Sequence, residues 1–74
     1  MIRLPMVDAT KLVRALKRAG FVEGAQRGSH LTLWHPRTGS QTTVPMHGGD
    51  VKRGLMKLIL KQAGLSEADF RRLL

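Results

Sequence analysis

The stretch Arg27-Gly28-Ser29-His30-Leu31-Thr32-Leu33-Trp34-His35-Pro36 decides how the rest of this 74-residue chain is read. Gly28 and Ser29 make a tight turn, and the residues after it alternate as in a half-buried strand, 30–35. Side chains along a strand point to opposite faces in turn. His30, Thr32 and Trp34 therefore share one face, and Leu31, Leu33 and His35 the other. The leucines are built to join a core. A titratable imidazole is then left outside it, just past a turn with Arg27 alongside.

Upstream of that turn, residues 21–26 read as a first strand weakened by Gly24. Before it, a helix runs through residues 9–19 with Asp8 as N-cap and Gly20 as its left-handed stop. Leu12, Val13, Leu16 and Ala19 form its apolar stripe; Lys11, Arg14, Lys17 and Arg18 make its wet side. Downstream, residues 36–39 spell a turn, Pro-Arg-Thr-Gly, and 41–46 a third strand. In that strand Thr42, Val44 and Met46 share one face, Thr43 and Pro45 the other. Pro45 marks a strand end or an edge, because it has no N–H for a ladder.

The loop His47-Gly48-Gly49-Asp50 leads to a second helix over residues 51–63, with Asp50 as its expected cap and Gly64 as its stop. Leu55, Leu58, Ile59 and Gln62, flanked by Met56 and Leu60, are its expected inner side, and it is the helix expected to lie deeper. Ser66 with Asp69 three residues on starts a short last helix carrying Phe70, Leu73 and Leu74. The fold class is α+β in the order α-β-β-β-α. It implies a three-stranded antiparallel sheet with the main helices on one face, in a single domain spanning 1–74.

Thirteen Lys and Arg against five Asp and Glu give a formal charge of +8. Such an excess favours a polyanionic partner, nucleic acid first. The absence of cysteine rules out disulfides and thiolate metal sites. No apolar run approaches the length that spans a bilayer, and the stretch Met1 to Met6 is too short for a secretion signal, so a cytoplasmic address is expected. No metal site is expected, because His30 and His35 face opposite ways and no carboxylate is spaced to join His30, His35 or His47. Ser29 and His30, as strand neighbours, point apart and do not form a serine–histidine pair.

What remains is acid–base work on RNA. There the 2′-hydroxyl is the nucleophile, and the protein need only move protons near neutrality and hold phosphate charge. Histidine titrates in that range. His30 is the candidate catalytic residue, with Arg27 and the Gly28–Ser29 backbone placed for a phosphate. His47 is either a second proton carrier facing His30 or a loop residue; His35 is a strand-end residue. Arg53, Lys57 and Lys61, recurring every fourth residue with Lys52 at their head, are either a phosphate-attracting stripe or a solvated helix face. Trp34 is placed either to stack on a base or to pack into a protein partner.

Taken together these residues resemble the HicA toxin family. The likeness rests on Leu4-Pro5, the run Lys11-Leu12-Val13-Arg14-Ala15-Leu16 into Ala19-Gly20-Phe21, the signature Arg27-Gly28-Ser29-His30, and His35-Pro36. It continues through Thr43-Val44-Pro45, His47 and the closing Leu58-Ile59-Leu60-Lys61-Gln62-Ala63-Gly64-Leu65. The resemblance implies a double-stranded-RNA-binding-domain-like fold and an mRNA interferase that needs no cofactor. It also implies that His30 is catalytic and that a HicB-like antitoxin masks the active site. The alternative is a non-catalytic basic module that binds RNA or an antitoxin. Leu33 and Trp34 depart from the polar or other aromatic residues of many relatives, and Gly54 is an unusual residue inside a helix, costing about 1 kcal/mol against Ala.

Overall fold

The structure, a computed structural model, describes residues 4–74, so the first three residues of the N-terminal stretch lie outside it. The order is α1 (Ala9–Arg18), β1 (Val22–Arg27), β2 (His30–Trp34), β3 (Gln41–Pro45), α2 (Arg53–Ala63) and α3 (Glu67–Leu73). The strands form one antiparallel sheet in the order β1-β2-β3. The α-β-β-β-α order holds, with a third short helix after it.

The β1–β2 hairpin closes through Gly28 and Ser29, with Arg27 opposite His30. Gly28 takes φ +58° while Ser29 keeps a negative φ, the sign pattern of a II′ turn, whose twist matches that of the strands it joins. Residues 36–39 close the second hairpin, with Gly39 at φ +76° donating its N–H to the His35 carbonyl at 2.8 Å. Leu31 and Leu33 of β2 and Val44 of β3 enter the core, as the alternation required. They meet Leu12, Val13 and Leu16 of α1 and Met56, Ile59 and Leu60 of α2. Both main helices thus lie on the leucine side of β2.

Asp8 caps α1, its carboxylate accepting from the Lys11 N–H at 2.8 Å. The expected start of the second helix is corrected. Asp50 pairs with Asp8 in an isolated bridge, and the Val51 N–H donates to the Val7 carbonyl at 2.9 Å. Val51 is itself a core residue. These ties hold 50–51 extended against the segment before α1, so α2 begins two residues later. Its cap is Lys52, which makes no side-chain cap bond. Gly64 ends α2 in the left-handed conformation at φ +71°.

The expected inner side of α2 is corrected too. Met56, Ile59, Leu60 and Ala63 are buried, whereas Leu55 and Leu58 are 37% and 50% exposed. Gln62 is exposed as a residue yet faces the sheet as expected, its Oε1 accepting from the hydroxyl of buried Thr42 at 2.8 Å. Nor is α2 the deeper helix: α1 buries five of its ten residues and α2 four of eleven.

Ser66 and Asp69 form a reciprocal capping box at α3. Hydrogen bonding from the Ser66 backbone N–H, then the Ser66 hydroxyl and the Arg72 guanidinium, hold the Asp69 carboxyl below the usual aspartate range. A carboxylate held low stabilises above its unfolded pKa, about 3.9, and that contribution is lost as pH falls through the lower folded value. Helical circular dichroism is therefore expected to weaken as the pH falls below about 4 in the parent, and Asp69→Asn should remove that acid-dependent step.

Candidate functional site

The face of the sheet turned away from the helices carries His30, Thr32 and Trp34 from β2. Arg27 and Val22 lie beside them on β1, and Gln41, Thr43 and Pro45 on β3. All but Pro45 and the half-buried Thr32 are exposed. The five carboxylates of the chain are elsewhere. Asp8 and Asp50 sit at the head of α1, and Glu67 and Asp69 belong to α3. Glu23 stands opposite Leu33 on the helix side and pairs with Lys17. The open face is thus free of acid and holds Arg27 and His30 at one end.

A bulge in β1 is what brings that pair together. Glu23 is opposite Leu33 but Gln26 is opposite Leu31, so three steps on β1 match two on β2. Because strand faces alternate, one extra residue reverses the faces beyond it. Without it Arg27 would point to the Glu23 side. With it, Arg27 sits directly across from His30 on the open face. Gly24 begins the bulged segment.

The three histidines have different surroundings. His35 is held tightly: its Nε2 lies 3.2 Å from the Ala19 carbonyl, and its Nδ1 accepts from the Arg37 N–H at 3.1 Å. Those partners specify the Nε2–H tautomer. The ring also meets Phe21 edge-on at 5.2 Å. Gly20 makes room for it, since a Cβ there would stand 2.6 Å from Nε2. His35 is a structural residue. His47 lies beyond β3, its Nδ1 3.4 Å from the Gly48 carbonyl, in a groove with Ala9, Thr10 and Gly49 at the head of α1. The residue facing His30 across the ladder is Pro45, not His47. Among the described residues neither ring nitrogen of His30 has a hydrogen-bond partner, and no group of three His, Asp or Glu could hold a metal.

The basic residues of α2 are not part of this face. Arg53 is half-buried and its Nε donates to the Leu4 carbonyl at 3.3 Å, fastening the N-terminal segment. Lys57 and Lys61 are exposed on α2, which packs on the leucine side of the sheet, the side opposite the one that carries His30. A second basic cluster that sequence reading assigned only to a wet helix face lines a groove of about 190 Å³: Lys11, Arg14 and Arg18, with Val7 and Leu74. Its signal is the i, i+3, i+7 spacing of those cations, which by itself fits any solvated helix.

The family model described as the HicA toxin of bacterial toxin–antitoxin modules matches residues 9–65. A search of curated proteins returns no match. The match runs from the first residue of α1 to just past the stop of α2, and so contains the whole sheet, the bulge and the Arg27–His30 pair. With more than three quarters of its length inside that model, the chain belongs to the HicA toxin family.

Proposed function

We propose that this toxin is an mRNA interferase, an endoribonuclease needing no metal, in which His30 moves the proton and Arg27 holds the phosphate. The observation that supports this most is the bulge-set pairing of Arg27 with His30 on an acid-free, exposed sheet face. In the step, the 2′-oxygen bonds to the adjacent phosphorus and its proton passes to His30. The bond from phosphorus to the 5′-oxygen breaks, and that oxygen takes a proton from solvent water as it leaves. The products are a 2′,3′-cyclic phosphate and a 5′-hydroxyl. Arg27 and the backbone N–H groups of the Gly28–Ser29 turn offset the charge that builds on the phosphorane oxygens. Lys52, Lys57 and Lys61, with the cations of α1, supply attraction at longer range rather than contacts at the cut.

The expected neutralising partner is a HicB-like antitoxin that covers the open face, and the expected setting is the cytoplasm. Among the described residues no helix is long and apolar enough to cross a membrane. The test is incubation of purified protein with a messenger transcript in excess chelator. Cleavage is expected to persist with EDTA. Affinity should fall with salt, with a log–log slope of about −0.7 for each phosphate contacted on a single strand. Salt-dependent binding without any cleavage would instead favour a non-catalytic RNA-binding module.

A further inference from the structure

We propose that the open face is a track for single-stranded RNA on which Trp34 stacks one unpaired base, about two to four nucleotides from the phosphate at His30. This rests on His30 being the cleavage residue, and it adds the class of substrate and a specificity-determining residue.

Trp34 is the only tryptophan of the chain and is 43% exposed on the same face as His30. Directly across the ladder from it stands Val22, yet its indole reaches past Val22 to Gly24. A Cβ built on Gly24 would lie 3.4 Å from the indole Cδ1 and 3.8 Å from Nε1. Gly24 is the next open-face position toward Arg27. The ring therefore leans along the sheet toward the Arg27–His30 end, where a Cβ at position 24 would meet it at ordinary contact distance.

The spacing matches a polynucleotide. Four strand residues put Trp34 about 13 Å from His30, which is roughly four nucleotides at the stacked rise of 3.4 Å, or two if the chain is extended to twice that. Between them Thr32 and Thr43 are directly paired, small and uncharged. No carboxylate interrupts the path. The positive end takes phosphate and the aromatic end takes a base, the pairing of groups used by single-strand binders. A duplex hides its base faces, so an isolated indole on a flat sheet selects unpaired RNA.

The experiment uses the non-cleaving His30→Ala protein and reads Trp34 fluorescence, which reports this one position. A 12-nucleotide single strand is expected to quench and shift the emission on binding, and the same sequence as a duplex is expected to leave it nearly unchanged. One abasic site walked along the strand should weaken binding about tenfold at a single offset from the mapped cut. Trp34→Ala should lose about tenfold in affinity by anisotropy, and Trp34→Phe less than threefold. Equal binding of duplex and single strand with no quenching would overturn the proposal, as would quenching by an acidic protein partner but not by RNA. If quenching follows the single strand yet His30→Ala still cuts RNA, the catalytic assignment fails while the stacking site stands.

Discussion

Replacing His30 with alanine is expected to slow RNA cleavage by about 10²- to 10⁴-fold, the range that a positioned proton carrier contributes, and to leave the fold intact. The side chain is exposed and sits at the end of β2, where its loss removes no core contact and leaves no buried polar group unsatisfied. Stability should move by less than about 0.5 kcal/mol, as for a surface substitution. The pair of readings matters because a toxin can lose activity simply by unfolding. Single-turnover rates at saturating RNA, beside urea unfolding of the same samples, separate the two. A His30→Ala protein with an unchanged midpoint and a rate within threefold of the parent would contradict the assignment. Arg27→Ala should act differently, weakening both binding and rate, because its proposed role is to hold the phosphate as a charge and not to move a proton.

The second large effect concerns the fold. Phe70 is fully buried, although it belongs to a seven-residue helix outside the span matched by the family model. A helix that short has little stability of its own. It is held by its capping box, by Arg18, whose guanidinium donates to the Leu73 carbonyl at 2.7 Å, and by the Phe70 ring in the core. Truncating a buried Phe to Ala costs about 3–5 kcal/mol. A domain of this size has roughly 4–11 kcal/mol to lose. Phe70→Ala is therefore expected to remove about half of a mid-range stability, measured as a drop in the urea midpoint with the slope unchanged. A loss below 1 kcal/mol would mean that α3 is an appendage and the core closes without it. Leu58→Gln is the contrasting case, on a half-exposed site of the neighbouring helix.

How far the molecule could be read from residues alone depends on how local the deciding signal is. The Gly28–Ser29 turn, the alternation of β2, Asp8 and the Ser66–Asp69 pair at helix starts, and Gly64 at a helix stop all act within a few residues. Each is where the sequence placed it. The second helix was harder because Leu55, Met56, Leu58, Ile59 and Leu60 put apolar groups around most of its circumference. Its orientation is set by the sheet below it and by Thr42 reaching Gln62, neither of which a periodicity contains. Asp50 looked like a cap because nothing local announces that Val51 will be drawn into the core beside Val7.

The site divides in the same way. That His30 and Trp34 share a face follows from counting along one strand. That Arg27 joins them depends on one extra residue in β1, which Gly24 permits but does not demand. The separation of Lys57 and Lys61 from His30 is a matter of layers: a basic stripe read off a helix says nothing about which side of a sheet that helix covers.

The central claim is that RNA supplies its own nucleophile while the protein presents one exposed imidazole beside a guanidinium. Its most direct test is single-turnover cleavage, in chelator, of a transcript carrying one 2′-deoxy nucleotide immediately 5′ to the mapped cut. The prediction is that the all-ribose strand is cut to a cyclic phosphate and the deoxy strand remains whole at that bond. Cleavage of the deoxy strand at a comparable rate would mean that water or a protein group attacks instead, and the proposed role of His30 would fall with it.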